Sequence, residues 1–414
     1  LQKKAMLRQE QIAEIIDSQF EVFSNKTIGV ERELLPFIPE VENFATIITG
    51  IRRCGKSTLL LQLSQKKYPD AFYLNWEDIR LAGFETDDLT RVYNEIVRRN
   101  IRTLFFDEIQ LVKGWEIFVN QLLRENFRVF VTGSNASLLS KELGTHLTGR
   151  HLSVELFPFS FAEFCTCKEI LPDAQAIDLY LKSGGIPDYV KTGMGSVLQQ
   201  LVDDILMRDI MTRYGIRDVN SLRQLTVYLL SNVGNAVSAN RLSGLFGVKS
   251  ATTILEYFSY LSNAYLVEFV PQFDYSVKAQ NRNPKKVYAM DTGLVTEVGN
   301  TFTENLGHLF ENLVFIQLRR TQKDIYFFTD KDGECDFVIE KGGKIIEPIQ
   351  VCYELTDENF MREYNGLLSA MNFFGLNEGV IVTKNQTDLF TKGNQTIKVI
   401  SIIDFYNANQ QTKP

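Results

Sequence analysis

The chain is poor in the residues that build metal and disulfide frameworks, with five cysteines and three histidines among 414 residues. Cys54, Cys165, Cys167, Cys335 and Cys352 show no paired spacing, which argues against a disulfide scaffold or a Cys/His zinc module. The C-x-C of Cys165 and Cys167 has no second ligand pair near it and reads as buried thiols. Excess positive charge is also missing: 44 Lys and Arg stand against 51 Asp and Glu, a formal net charge of -7. Any nucleic-acid contact must therefore be local. No window approaches the length of an apolar membrane span, and the opening "LQKKAMLRQEQIAEIIDSQF" has no apolar signal core. The expectation is a cytoplasmic protein without membrane contact. Fixed-period repeats and Gly/Ser- or Pro-rich linkers are absent as well.

What is present is ordinary globular composition, 44% hydrophobic and 23% charged. A chain of this length exceeds one core and should divide into several folded domains.

The strongest motif is "ATIITGIRRCGKSTLLLQLSQ", a strand, a glycine turn and a helix enclosing G-x-x-x-x-G-K-S from Gly50 to Ser57. Gly50 and Gly55 let consecutive N–H groups curl inward toward phosphate oxygens, and the following helix adds its positive end. Lys56 would reach the β- and γ-phosphates and Ser57 would ligate Mg²⁺, with Arg53, Cys54 and Thr58 completing the cradle. Downstream, "RTLFFDEIQ" is an apolar run ending in Asp107 and Glu108, the form of a buried parallel strand. Asp107 can hold Mg²⁺ and Glu108 can act as general base toward water. Further apolar segments at 71–75, 127–132 and 151–156 alternate with helical stretches, which predicts a doubly wound parallel sheet. Ser134 and Asn135 follow the strand "FRVFVT"; they either sense the γ-phosphate or position water, or cap the next helix.

From 219 to 292 the pattern becomes three helices and then two strands flanking "DYSVKAQNRNP", which predicts a winged helix. Lys278, Arg282, Lys285 and Lys286 crowd the wing tip, while Lys249 and Thr252 open the third helix. DNA contact is expected there, with a purely structural or protein-docking wing as the alternative.

The order of P-loop, Asp-Glu, "TGSNA", "LTGR", "LFPFSFAEF" and "SGGIPDYV" resembles a bacterial and archaeal family of AAA-type P-loop ATPases close to the STAND ATPases. That resemblance implies that Arg150 is an arginine finger offered to a neighbouring subunit. It also implies that "GGIP", with Pro187, belongs to a helical lid beside the adenine, and that ATP is preferred over GTP. The same family ends in a restriction-endonuclease-like fold, where a helix glutamate, a strand aspartate and an E-x-K or Q-x-K hold Mg²⁺. Glu311, Asp336 and Gln350 match the first three positions, but Cys352 stands where the lysine belongs. A thiol cannot supply a fixed positive charge, so the site reads as vestigial unless Lys341 or Lys344 moves in.

The reading is thus an α/β protein: a P-loop core with an N-terminal helical extension (1–158), a helical lid (159–218), a winged helix (219–304) and an endonuclease-like domain (305–414). The expected function is a Mg²⁺-dependent ATPase that remodels or translocates DNA as a homo-oligomer, with a hexameric ring as one form. A STAND-like switch acting on protein partners and an ATP-gated nuclease are the alternatives.

Overall fold

The structure is a computed structural model that describes residues 7–135, 149–300 and 305–410. The chain divides into two compact units, residues 1–157 with 263–265, and residues 158–262 with 266–414.

The first unit is built on one parallel sheet of order β2-β3-β4-β1-β5. Its strands are β1 (Ala45–Thr49), β2 (Phe72–Asn75), β3 (Thr103–Asp107), β4 (Arg128–Gly133) and β5 (His151–Glu155). Every residue of β1 and of β3 is buried, the reason these strands read as continuous rather than alternating apolar runs. Helices α1 (Gln9–Ser24), α2 (Lys56–Lys67), α3 (Asp88–Arg98) and α4 (Trp115–Arg124) accompany the sheet. Ile12 and Ile16 of α1 join Phe72, Leu74, Leu104 and Phe106 in the core, each contributing about 1.5–3 kcal/mol by burial. The Gln19 amide exchanges bonds with the Asn75 backbone at 3.0 and 2.7 Å. The N-terminal helix therefore packs into the core of the first unit.

The second unit begins with α5 (Phe161–Lys168), α6 (Ala174–Ser183) and α7 (Pro187–Thr192). The "GGIP" turn between α6 and α7 follows from close packing. A Cβ on Gly185 would lie 2.3 Å from the Phe159 carbonyl oxygen, whose N–H in turn donates to the Gly185 carbonyl at 2.7 Å. The buried carboxyl of Asp291 accepts from the Gly185 N–H at 2.6 Å and from Gly293 at 2.9 Å. Burial pushes that carboxyl up to about 7 against the pull of these N–H groups. Gly185→Ala is expected to cost about 1–3 kcal/mol, because the obstacle is backbone and cannot rotate away. A chemical denaturation curve would measure it; a midpoint equal to wild type would refute the packing argument.

After a continuous helical stretch made of Gly195–Asp204, the π-helical Ile205–Met211 and Thr212–Tyr214 come α8 (Val219–Ser231), β6 (Ala236–Val237), α9 (Ala239–Leu242), α10 (Ala251–Asn263), β7 (Val267–Pro271), α11 (Val277–Arg282), β8 (Lys285–Ala289) and α12 (Thr292–Val298). The strands form a sheet of order β6-β8-β7. Two features differ from the sequence reading. A short third strand, β6, pairs with Lys285 and Lys286, and the expected wing tip contains helix α11.

The C-terminal part packs α13 (Leu306–Arg319), α14 (Asp357–Phe374) and α15 (Ile402–Gln410) with a mixed sheet of order β13-β14-β12-β11-β10-β9. Its strands are β9 (Ile325–Thr329), β10 (Glu334–Lys341), β11 (Lys344–Val351), β12 (Glu378–Thr383), β13 (Asp388–Lys392) and β14 (Gln395–Ser401). The β13-β14 hairpin escaped the sequence reading because β13 has no buried residue and so lacks apolar alternation; its Gly393-Asn394 turn was the available signal. Among the described residues no helix is long and apolar enough to cross a membrane.

Candidate functional site

The carboxyl edge of the first unit's sheet gathers most of the predicted nucleotide residues. Beyond β1 the chain turns at Gly50, with φ +146° and no room for a Cβ, which would lie 2.1 Å from the Leu156 carbonyl oxygen. Gly55, at φ +102°, is the N-cap of α2, and Arg53 takes φ +63° between them. This alternation of handedness turns backbone N–H groups toward one side, an anion-binding concavity ahead of a helix N-terminus. Lys56 is buried and donates through Nζ to the carbonyls of Gly50 and Ile51 at 3.0 and 3.1 Å. Cys54 is fully buried, and burial pushes its thiol up. It is a packing residue of the loop. Ser57 is exposed at the first turn of α2, with Thr58 half-buried beside it.

Asp107 ends β3 in complete burial. Its Oδ2 accepts from Tyr73 Oη at 2.9 Å and Asn75 Nδ2 at 3.4 Å, and its Oδ1 accepts from the Thr132 hydroxyl. These donors are all neutral, so they fix the carboxylate without cancelling its charge. The oxygen donors of Ser57 and Asp107 are the chemistry a Mg²⁺ ion requires. Glu108 follows in the left-handed region at φ +53°, with its N–H donating to Thr132 Oγ1 at 3.0 Å. Gln110 Nε2 donates to the Glu108 carboxylate. Burial raises that carboxyl above its ordinary range, opposed by Lys56 and reinforced by Asp107.

Sequence reasoning missed Tyr73, Asn75, Thr132, Gln110 and Arg32. The Arg32 guanidinium donates to the carbonyls of Cys54 and Phe157, both at 2.6 Å, tying the loop to the end of β5. No local motif marks an arginine so far upstream. Ser134 and Asn135 are buried just beyond β4; the helix either would cap lies outside the described residues.

A family model described as an AAA domain matches residues 42–165. Two further models, both described as domains of unknown function (DUF8612 and DUF4143), match residues 174–305 and 306–405. The uncharacterized protein MJ1544 of Methanocaldococcus jannaschii is 33% identical over 371 residues, 83% of this chain and 80% of that protein. The chain belongs to its family, a family of AAA-domain proteins. An uncharacterized protein of Haemophilus influenzae is 31% identical over 336 residues, 76% of this chain and 84% of its own. Among solved structures, Cdc6p from Pyrobaculum aerophilum is similar over 72% of this chain and 94% of its own, at 13% identity and a TM-score of 0.24, too slight a likeness to argue from.

Within the AAA domain, Arg150 is exposed and stands immediately before β5. Its carbonyl accepts from the Ala45 N–H at 3.1 Å, at the start of β1. Arg150 thus lies at the amino edge of the sheet and the P-loop at the carboxyl edge, about 16 Å away along β1.

The remaining candidates lie in the second unit. Pro187 opens α7. Lys249, Thr252, Lys278 and Arg282 are exposed and Lys285 is half-exposed. Lys286 departs from that group. It is 3% exposed and points among carboxylates, because successive strand residues face opposite sides and its side is the interior. Its Nζ lies 2.9 Å from Glu311 Oε1 and 2.8 Å from both Glu334 Oε1 and Asp336 Oδ1. Buried among acids, Lys286 does not present its charge to DNA, contrary to the sequence expectation. Glu311 and Asp336 are brought together at this ammonium. Gln350 accepts from the Asp336 N–H at 3.3 Å and donates to Glu363 at 2.6 Å. Cys352 gives its thiol hydrogen to the Glu354 carbonyl at 3.1 Å, and burial pushes that thiol up to about 11.

Proposed function

We propose that this AAA-domain protein is a Mg²⁺-dependent ATPase that remodels or translocates DNA as a homo-oligomer, closing its catalytic sites between subunits. The observation that carries the reading is the placement of Arg150, exposed at the sheet edge opposite its own P-loop. An arginine that cannot serve its own nucleotide is suited to a neighbour's, and a ring, six-membered in this proposal, is the assembly in which every such arginine finds one.

In this mechanism Lys56 and the N–H groups from Gly50 to Gly55 bind the triphosphate at the head of α2. Ser57 and Asp107 would hold Mg²⁺, which when bound balances charge on the β- and γ-phosphates. Glu108 accepts a proton from the attacking water at its carboxylate, and its burial-raised proton affinity suits that role. Thr132 aligns both acids, donating to Asp107 and accepting from the Glu108 N–H. The helix α8, strand β6, helices α9 and α10, and strands β7 and β8 follow in the order of a winged helix. In this reading Lys249 and Thr252 at the head of α10 approach the DNA groove, while Lys278, Arg282 and Lys285 touch backbone. The C-terminal domain is read as restriction-endonuclease-like in outline, supporting the assembly without cutting.

Arg150→Ala is expected to lower steady-state ATP hydrolysis by about 10³-fold or more while ATP still binds. Mixing it with a Lys56→Ala partner, which keeps its arginine, should restore part of the activity. Hydrolysis assayed with single-stranded, duplex and branched DNA identifies the substrate. Unchanged hydrolysis in Arg150→Ala, indifferent to DNA, would sink the proposal in favour of a nucleotide-gated switch acting on protein partners.

A further inference from the structure

The endonuclease-like reading implies a divalent cation at Glu311 and Asp336, and the residues present do not fit one. Lys286 donates through Nζ to Glu311 and Asp336 at 2.9 and 2.8 Å, and Glu334 Oε1 completes the surrounding charge as an ion pair at 2.8 Å. The ammonium is thus held on the acids and turned away from the place of a scissile phosphate. The two buried carboxylates take further donors. Asp336 Oδ2 accepts from the Val351 N–H at 3.0 Å, and Glu311 Oε1 also takes the Tyr288 hydroxyl at 2.6 Å. Gln350 and Cys352 are spent on Glu363 and Glu354. Access is not the obstacle, because a cleft of about 1120 Å³ opens onto these residues. Charge is: a second cation on the same oxygens would sit within a few ångströms of a buried ammonium. Among the described residues, no group of three or more His, Cys, Asp or Glu is arranged to hold a metal ion.

We propose that Lys286 is the resident cation of this site, occupying the place of a divalent metal, so that the Glu311–Asp336 pair binds no Mg²⁺ or Mn²⁺ while β8 is seated. The lysine comes from the region matched by the middle family model and the carboxylates from the C-terminal one. That is why the C-terminal sequence alone lacks its positive charge. Burial pulls the ammonium toward neutrality, but Asp336, Tyr288, Glu311 and Glu334 outweigh it and hold it well above the ordinary lysine range. It stays charged at any working pH.

Mn²⁺ binding to the full chain without nucleotide, followed by electron paramagnetic resonance, tests this. Four proteins are compared: wild type, Asp336→Asn, Lys286→Ala and the double variant Lys286→Ala/Asp336→Asn. Background at Ser57 and Asp107 is common to all. Wild type and Asp336→Asn should bind alike. Lys286→Ala should gain one ion per chain, lost again in the double variant, and Mn²⁺ should raise its melting temperature but not that of wild type. An ion in wild type that Asp336→Asn removes would overturn the proposal, as would a folded Lys286→Ala protein that gains none. Should Lys286→Ala fail to fold, the first pair alone decides, equal binding supporting the proposal and a loss in Asp336→Asn refuting it.

Discussion

Glu108→Gln is expected to slow ATP hydrolysis by about 10²–10⁴-fold while leaving ATP binding intact. The substitution keeps size and shape, and it keeps an oxygen to accept from Gln110 Nε2. It leaves the left-handed backbone at φ +53° and the N–H bond to Thr132 unchanged. What disappears is the one group at the end of β3 that can take a proton from water, since the Asp107 carboxylate is held by Tyr73, Asn75 and Thr132. Lys56→Ala should differ in kind, losing affinity as well as turnover, because Lys56 belongs to the phosphate cradle. Phosphate release together with titration of a fluorescent ATP analogue separates the two. A Glu108→Gln protein that hydrolyses ATP at the wild-type rate would remove Glu108 as the base.

Lys286→Ala should be the most destabilising single change in the second unit, costing about 3–5 kcal/mol and on the order of 10 °C in Tm. The cost arises from stranding Glu311 and Asp336, both 9% exposed in their side chains, without a counter-charge. Removing the charges together, as Lys286→Met with Glu311→Gln and Asp336→Asn, should recover most of the loss. The pH dependence has a definite sign. Burial and Asp336 push the Glu311 carboxyl up to about 7 even with Lys286 opposing them. A carboxyl raised in the folded state contributes stability that is present below its unfolded value and lost as pH rises through the folded one. Without Lys286 that rise is unopposed, so the Lys286→Ala and wild-type curves should run parallel below about pH 7 and their separation should widen as pH rises from about 7 to about 9. Scanning calorimetry across that range measures it; a deficit independent of pH would mean the cluster is not held by charge.

The parts of this molecule legible in the sequence are those whose partners lie close along the chain. The P-loop glycines, Lys56 and the helix they introduce are contiguous, and strands buried on both faces announce themselves as apolar runs. The acids of β3 were found because they end such a run. The groups that orient them, Tyr73, Thr132 and Gln110, carry no motif of their own. Lys286 was misread for a related reason. Within "NRNPKKVYAMD" it is one of several bases, and its partners Glu311 and Asp336 lie 25 and 50 residues further on. Strand alternation alone would have separated Lys285 from Lys286, but which of the two faced inward depended on a sheet that the local sequence does not contain.

The seating of Lys286 also bears on inheritance. The boundary between residues 305 and 306 divides two family models, yet one buried ion cluster is assembled from both sides of it. A chimera that took only the C-terminal segment from a relative with a different charge pattern would bury a base without acids, or acids without a base. The two segments are therefore a single heritable unit, exchangeable together and costly to recombine apart.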